Sequence, residues 1–246
     1  MSKSVGVIIC AAGASTRFGG GKKKPFVDVS GRAAFLHSIE LFTDLKEVKQ
    51  VVIAISPEDE EMVKVKWGPN LQFFGVKICF GGAERFDTVS KALKELRDDI
   101  ELVAVHDAVR CCLRKDWVQK VFAEAEKTGA AMLAAPVVPT IKRVKENMIV
   151  ETVDRSDLYE AQTPQVFEKG LLTEAYSKLE EMDKSKISDD AQLVEALGRK
   201  VAIVETDSSN IKITRKIDVA IAEAIIRARP KPKAEGYLGP YGEAQW

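Results

Sequence analysis

A loop of small and basic residues directly follows the first apolar run of the chain, Val5–Cys10. The loop extends from Gly13 to Lys24 and carries further basic side chains at Arg17 and Lys22. Small side chains let backbone amides approach a phosphate, and the basic groups supply countercharge. The chemistry that this loop indicates is nucleotide binding, although a plain glycine turn accounts for the small residues equally well.

Two later segments also follow apolar runs, at 76–80 and 102–105. The pair Gly81-Gly82 suits close approach to a base or ribose, or a tight turn before a helix that begins at Arg85. Asp107 suits a divalent cation, a ribose hydroxyl or a helix cap. Each segment taken alone leaves these alternatives open.

Histidine and cysteine offer no evident catalytic group in this sequence. Nothing pairs His106 with His37, so we expect His106 to be a packed, hydrogen-bonded residue. The adjacent pair Cys111-Cys112 leaves a redox role open. The four cysteines lack metal-ligand spacing, and we expect thiols of a reducing cytoplasm at Cys10, Cys79, Cys111 and Cys112.

Short β-branched runs alternate with segments of helical period, which predicts an α/β fold with a largely parallel sheet and helices on both faces. Ligands of such sheets lie beyond the carboxyl ends of the strands, where the three segments occur. Ser188-Asp189-Asp190 suits a helix start. A final strand at 210–214 is predicted to point Lys212 away from Ile211 and Ile213. The earlier strands are predicted at 5–10, 51–55, 76–80, 102–105, 131–138 and 201–204, with helices over 33–45 and 85–96.

The alternation breaks between residues 130 and 161. The runs 140–144 and 148–153 read as two strands joined by a polar turn, with no helix between them. A two-stranded arm, at about 138–156, has too little core to be stable alone. We expect it to pack against a second copy of the chain, or to fold back on its own domain.

Composition limits the remaining choices. A chain of 246 residues that is 46% hydrophobic can bury one large core, and we expect one domain at 1–229 followed by a flexible Pro- and Gly-rich tail at 230–246. Lys+Arg and Asp+Glu both number 37, so no overall charge favours nucleic acid or an anionic membrane. No apolar run approaches the roughly 20 residues of a membrane span, and we expect a cytoplasmic protein.

Taken together, the motifs resemble the 2-C-methyl-D-erythritol 4-phosphate cytidylyltransferase family, in order and over residues 5–225. The motifs are Ala11-Ala12-Gly13 with Arg17 and Lys24, Gly81-Gly82 with Arg85, Val105-His106-Asp107-Ala108 with Arg110, Thr140, Val153-Asp154-Arg155, Gln162-Thr163-Pro164-Gln165, Ser188-Asp189-Asp190-Ala191, and Lys212.

This resemblance implies a Rossmann-like nucleotidyltransferase fold and cytidylyl transfer from CTP to methylerythritol phosphate, with release of pyrophosphate. It also implies a divalent cation, usually magnesium, and a homodimer in which the arm reaches the partner's site. By the same resemblance, the catalytic cations are Arg17, Lys24 and Lys212. Nucleotide recognition is assigned to Ala11, Ala12, Gly13, Gly82, Thr88, Asp107 and Ala108. Contacts with the polyol phosphate are assigned to Asp107, Arg110, Thr140, Arg155 and Thr163, with Asp107 also a metal ligand.

Some positions depart from the family pattern. Pro25 follows the catalytic lysine, Val109 and Cys111 flank Arg110 in place of alanine and proline, and Ser15 replaces a common glycine.

The alternative functions are a cytidylyltransferase for another polyol phosphate, such as ribitol 5-phosphate, and a non-catalytic nucleotide-binding protein. The run 19–21 is further predicted to be a hinge that closes the cations over CTP.

Overall fold

A computed structural model describes residues 2–13, 18 and 23–229. The predicted hinge at 19–21, the catalytic candidate Arg17 and the tail at 230–246 lie outside these residues. The strands are β1 Val5–Cys10, β2 Asp28–Val29, β3 Arg32–Ala33, β4 Val48–Ile55, β5 Lys77–Phe80, β6 Leu102–Asp107, β7 Ala130–Pro136, β8 Ile141–Lys145, β9 Met148–Val153, β10 Tyr159–Glu168 and β11 Ala202–Glu205. The α-helices are α1 Ala34–Thr43, α2 Glu60–Phe73, α3 Arg85–Leu93, α4 Lys115–Thr128, α5 Lys169–Ser177, α6 Asp190–Ala196 and α7 Ile217–Ala228.

Seven strands form the central sheet in the order β11-β7-β10-β6-β1-β4-β5. All neighbours are parallel except β10, which is antiparallel to both β6 and β7. The predicted α/β architecture with a largely parallel sheet is therefore confirmed. The sequence did not predict β10, because Thr163 and Pro164 interrupt its pattern, and its pairing with β7 is irregular between Ala161 and Gln165.

Helices cover both faces of this sheet, as expected. Successive β1 side chains point to opposite faces, so Val7 and Ile9 join one apolar cluster and Ile8 joins the other. The first cluster lies under α1, α2 and α4, and the second under α3, α5 and α6. Since β1 is covered on both sides, its carboxyl end is held in a fixed place. No helix in the described ranges has the length and apolarity to cross a membrane.

The predicted hairpin is present as β8 and β9, which form a separate two-stranded sheet. Glu146 and Asn147 connect the strands with φ angles of 50° and 63°. Positive φ at both central residues matches the twist of a tight hairpin. The arm exposes large apolar side chains, among them Met148 at 71% and Ile149 at 64%. The predicted packing of this arm on a second copy stays a prediction.

The predicted strand at 210–214 is wrong, because this segment is a loop. Its apolar alternation arises from packing beneath α7, where Ile213 is buried beside Val109. The Ile213 amide donates to the Val109 carbonyl at 3.0 Å. Asn210 is buried and donates through its side chain to the Thr163 carbonyl at 3.1 Å. These contacts on either side of Lys212 fix the backbone of the loop, although no strand of the described chain pairs with it.

Candidate active site

A pocket of about 420 Å³ lies at the carboxyl ends of β1, β5 and β6. Its volume falls in the range of small-molecule sites, about 300–1,000 Å³. The three motif segments that follow these strands meet here, together with the Lys24–Phe26 3-10 turn and the loop before α7. The lining includes seven of the predicted site residues: Ala12, Gly13, Lys24, Gly82, Thr88, Asp107 and Lys212.

The first wall of the pocket is the end of β1. Ala11 is buried, and its amide donates to the Ala54 carbonyl of β4 at 2.8 Å. The Ala12 carbonyl accepts from the Ser56 hydroxyl at 2.7 Å. These bonds extend the sheet pairing past the strand, so the backbone enters the loop at Gly13 in a defined position.

The second wall is the Gly81-Gly82 turn, where glycine is required by close packing. A Cβ on Gly81 would lie 2.3 Å from the Cβ of Ala12, and one on Gly82 would lie 2.2 Å from the Cβ of Asp87. The Thr88 hydroxyl accepts from the Gly82 amide at 3.0 Å and donates to the Glu84 carbonyl at 3.1 Å. Thr88 thus positions the glycine backbone at the pocket.

The helix start at Arg85 is confirmed, and α3 begins with a capping box. The Glu84 side chain accepts from the backbone at Asp87, and the Asp87 side chain accepts from the Glu84 amide at 3.1 Å. This reciprocal cap fixes the first turn of the helix. The side chain of Arg85, in that turn, therefore projects from the helix at a defined point beside the pocket.

Asp107 lies at the end of β6, surrounded by positive charge. Lys212 Nζ is 2.7 Å from one carboxylate oxygen, and Arg85 Nε is 3.2 Å from the other. Arg110 Nε is 3.9 Å away. Burial alone would raise the pKa of Asp107, but Arg85 and Lys212 outweigh it and hold that pKa well below its usual range. Asp107 is therefore ionised and gathers three cations at the pocket.

Arg85 is the residue whose role the motifs did not identify. It bridges two carboxylates, because its Nη1 also lies 2.7 Å from Asp190 on α6. The Tyr176 hydroxyl donates to the second oxygen of Asp190 at 2.6 Å. Burial would lower the pKa of Arg85, but Asp190 and Asp107 raise it well above its usual value. In the sequence, the signal for Arg85 was an arginine shortly after two glycines. Its partner Asp190 lies in a segment that predicts only a helix start.

That helix start is confirmed as well. The Asp189 side chain accepts from the Gln192 amide at 3.1 Å, and α6 begins at Asp190. The two adjacent carboxylates therefore have different structural roles. Asp189 caps the helix, while Asp190 is fully buried and binds Arg85.

His106 is structural, as expected. It is fully buried, and its two ring nitrogens lie 3.1 Å from the hydroxyls of Thr163 and Ser38. Burial lowers the pKa of His106 to about 3, so the ring is neutral at physiological pH. The Thr163 hydroxyl also accepts from the Asp107 amide at 3.0 Å. This series of hydrogen bonds, from Ser38 through His106 and Thr163, holds the backbone of Asp107 from below the pocket.

Arg110 is buried beneath the pocket rather than in its lining. It donates to the Asn210 carbonyl at 2.6 Å and to the Ala161 carbonyl at 3.1 Å. Burial lowers the pKa of Arg110, while nearby Asp107 opposes that change. The guanidinium ties β10 to the loop that presents Lys212. Its predicted contact with the polyol phosphate stays a prediction.

The remaining predicted residues occupy other places. Ala108 is buried, and its amide donates to the Cys10 carbonyl at 3.1 Å, so it continues the sheet. Lys24 lines the pocket, whereas Lys23 forms ion pairs with Glu58 and Asp59. Thr140 and Arg155 are exposed near the two ends of the arm and do not line the pocket.

The donor set fits a magnesium ion held mainly by a bound substrate. Mg²⁺ takes one or two protein carboxylates together with phosphate oxygens and water. In the described part of the chain, no three His, Cys, Asp or Glu side chains form a metal-binding group. Asp107 is ionised and lines the pocket, so it fits as a single protein ligand once one of its oxygens is released from Lys212 or Arg85.

The pocket is suited to chemistry on phosphates, since Lys24, Arg85 and Lys212 line it and outnumber the lining carboxylates Glu84 and Asp107. Within the described residues, two buried guanidinium nitrogens, Nη2 of Arg85 and Nε of Arg110, have no hydrogen-bond partner. The Cys10 thiol in the lining is a poor nucleophile, because burial raises its pKa to about 12. Positioning and charge stabilisation are therefore what this site can supply.

A family model described as 2-C-methyl-D-erythritol 4-phosphate cytidylyltransferase matches residues 5–228. The chain belongs to this family. The family member from Endomicrobium trichonymphae is 39% identical over 222 residues, which cover 90% of this chain and 98% of the relative. The member from Bacillus mycoides is 39% identical over 229 residues, covering 92% and 99% of the two chains.

Solved structures of the family have the same fold. The 4-diphosphocytidyl-2C-methyl-D-erythritol synthase of Anaerococcus prevotii superposes with a TM-score of 0.79 at 29% identity, covering 92% of this chain and 97% of that chain. The 2-C-methyl-D-erythritol 4-phosphate cytidylyltransferase of Thermus thermophilus gives 0.74 at 30% identity, covering 92% and 100%. The chain is therefore a nucleotidyltransferase by family and by fold.

Proposed function

We propose that this protein transfers a cytidylyl group from CTP to 2-C-methyl-D-erythritol 4-phosphate, with release of pyrophosphate, in non-mevalonate isoprenoid biosynthesis. The observation that carries the proposal is the cluster of Lys212, Arg85 and Arg110 around Asp107, at the strand ends where the small-residue loop begins. Membership of the cytidylyltransferase family supplies the identity of the two substrates.

The nucleophile needs no general base in this reaction. A phosphate monoester is mostly dianionic near neutral pH, because its second pKa is about 6. One of its oxygens forms the new bond to the α-phosphorus of CTP. The bond from that phosphorus to the β-phosphate oxygen breaks, and the electron pair leaves with pyrophosphate. The absence of a catalytic role for His106 and Cys10 agrees with this chemistry.

Cations of this chain would bring the two anions together. Lys24 and Lys212 lie in the pocket lining and would neutralise charge around the α-phosphate, with Arg17 from the loop. Asp107 holds Lys212 at 2.7 Å and so places that ammonium before substrate arrives. A magnesium ion, when bound through the phosphates and Asp107, would neutralise further charge on the triphosphate.

Cytosine recognition would come from backbone at the two glycine-rich walls. Gly82 and Thr88 lie on one wall, and Ala12 and Gly13 lie on the other. The walls touch, since a Cβ at Gly81 would overlap Ala12. A narrow slot of this kind favours the smaller pyrimidine over a purine.

The arm would complete the site of a second subunit. Thr140 and Arg155 are exposed, lie outside their own chain's pocket and carry groups that bind phosphate. The exposed apolar residues of β8 and β9 would then be covered in a homodimer. We also propose a cytoplasmic location, which the four free cysteines support.

Pyrophosphate release tests the function directly. The full chain is assayed with Mg²⁺ and CTP plus methylerythritol phosphate, and in parallel with ribitol 5-phosphate and with ATP, GTP and UTP. We expect release only when CTP and methylerythritol phosphate are both present. Release with ribitol 5-phosphate alone would reassign the acceptor, and no release with any pair would favour a nucleotide-binding protein without catalysis.

A further inference from the structure

A second cavity, of about 600 Å³, lies next to the Lys24–Phe26 turn and outside the proposed catalytic pocket. We call it the aromatic pocket. It is formed between this turn, the short strand β3 and the helix α2. Its aromatic lining residues are Phe26 and Trp67, and its charged lining residues are Lys23, Asp28, Arg32, Asp59 and Lys66.

Aromatic rings form one side of this pocket. Phe26 and Trp67 stack with centroids 5.4 Å apart and an interplanar angle of 21°. Phe35 meets Trp67 edge to face, also at 5.4 Å. Phe35 is fully buried, so the rings are anchored to the core while Trp67 remains partly accessible. A flat apolar group has a preformed surface to bind against.

The basic residues of the aromatic pocket differ in their partners. Lys23 pairs with Glu58 and Asp59, and Arg32 pairs with Glu40. Lys66 is different: its ammonium lies 5.9 Å from the Trp67 ring centroid, and no carboxylate of the described chain lies within 4.0 Å of it. An ammonium beside an aromatic surface, with no anion of its own, suits a ligand that is both flat and anionic.

We propose that the aromatic pocket binds a small aromatic anion, a flat ring bearing a carboxylate, sulfonate or phosphate, and that its occupancy alters nucleotide binding in the neighbouring pocket. The ring would lie against Phe26 and Trp67, with the anionic group near Lys66. This is a site in addition to the one proposed for catalysis.

The Lys24–Phe26 turn provides the physical link between the two pockets. Lys24 and Pro25 line the catalytic pocket, whereas Lys23 and Phe26 line the aromatic pocket. The turn is closed by a hydrogen bond from the Phe26 amide to the Lys23 carbonyl at 3.0 Å, and Pro25 fixes its own φ angle. A ligand that shifts the backbone at Phe26 would therefore shift Lys24, because one short, stiff segment carries both.

Binding is tested with 1-anilinonaphthalene-8-sulfonate, a fluorescent aromatic anion whose emission rises at apolar sites. We expect saturable binding to the folded full chain, and about fivefold weaker binding to Lys66→Gln, since one exposed charge is removed. The matched control is Lys64→Gln, on the same helix but outside the pocket and paired with Glu60, with unchanged binding. Thermal unfolding confirms that all three proteins are folded. No saturable binding, or equal loss in both variants, overturns the site.

Coupling is tested by repeating the titration at increasing CTP concentration. We expect CTP to weaken probe binding by a limited factor of about five that levels off, with the probe weakening CTP binding equally, because coupling between two sites is reciprocal. An affinity unaffected by CTP contradicts the link through the turn. A loss that grows without limit indicates direct competition in the catalytic pocket and overturns the second site. These readouts do not depend on turnover, so they stand apart from the proposed enzymatic function.

Discussion

The catalytic pocket and the β8–β9 arm hold their residues in opposite ways. In the pocket, Asp107 and Arg85 extend from a buried strand and a capped helix, and each has partners among the described residues. On the arm, Met148 and Ile149 are mostly exposed, and within the described residues the Arg155 side chain donates only to the Val138 carbonyl of its own segment. The pocket is organised within one chain, whereas the arm leaves its apolar side chains exposed, where a second subunit would cover them under our proposal.

In the proposed reaction, this difference separates two kinds of contribution. The sheet fixes cations before the substrates arrive, which is the arrangement that lowers the cost of charge reorganisation in the transition state. The arm has no core, so its geometry depends on what it packs against. Changes in the pocket should therefore affect turnover or folding, and changes on the arm should affect acceptor binding and assembly.

The largest effect is expected from removing a pocket cation. Lys212→Ala and Lys24→Ala should each lower kcat by about 100- to 1,000-fold, because a preorganised charge is lost next to the reacting phosphates. Lys216→Ala, four residues along the same segment, is the control for Lys212 and should retain full turnover. Steady-state kinetics with size-exclusion chromatography checks activity and assembly together. Unchanged turnover in either pocket variant contradicts its assigned role.

The next effect concerns stability. Asp190→Asn should lower the free energy of unfolding by about 3 kcal/mol, because Arg85 loses the partner of a buried ion pair. The control is Asp99→Asn, in an exposed pair with Arg97, for which we expect a much smaller loss. Urea unfolding measures both. Equal losses of unfolding free energy would show that the Arg85 bridge stabilises the protein no more than an exposed ion pair does.

On the arm, Arg155→Ala should raise KM for methylerythritol phosphate about tenfold and leave KM for CTP unchanged, since it removes one phosphate contact. Arg143→Ala is the matched control, because Arg143 lies on the same arm and pairs with Glu151. Initial rates at varied acceptor concentration distinguish the two. A raised KM for CTP would instead place Arg155 at the nucleotide.

The smallest effect, over the single pH unit below 6.5, is a pH dependence from His106. Its pKa is lowered to about 3 by burial, so between pH 3 and 6.5 the unfolded chain binds the extra proton. Stability should fall as pH falls through this window, by up to about 1.4 kcal/mol per pH unit. His37, whose pKa burial also lowers, adds in the same direction. His106→Gln should flatten the slope measured by urea unfolding, and an unchanged slope would remove His106 as its source.

The sequence predicted the parts of the site that local pattern controls. Strand ends, glycine turns and the hairpin each have a signature within a few residues, so the meeting of Gly82, Asp107 and the loop after β1 could be inferred. The bridge from Arg85 to Asp190 could not, because its partners are 105 residues apart and each also suits a helix start. The strand predicted at 210–214 was wrong because packing under α7 produces the same alternation as a sheet.

Strand β10 shows the converse problem. Its polar residues read as a site motif, and they also form structural contacts: Thr163 supports Asp107, and Gln165 accepts from the amides of Asp190 and Ala191 at 3.1 and 2.9 Å. The predicted contact of Thr163 with the polyol phosphate stays a prediction. Polar side chains in a buried strand are retained because each has a partner, and partners distant in sequence leave no local signature.

The most direct test mixes two impaired variants. Lys212→Ala damages the pocket of its own chain, and Arg155→Ala damages the arm that we place in the partner's site. If each site combines the pocket of one chain with the arm of the other, subunit exchange in a 1:1 mixture creates one intact site in every mixed dimer. Pyrophosphate release should then recover to about a quarter of the wild-type rate under acceptor-limited conditions. A mixture no more active than the average of its two components would contradict a site shared between subunits.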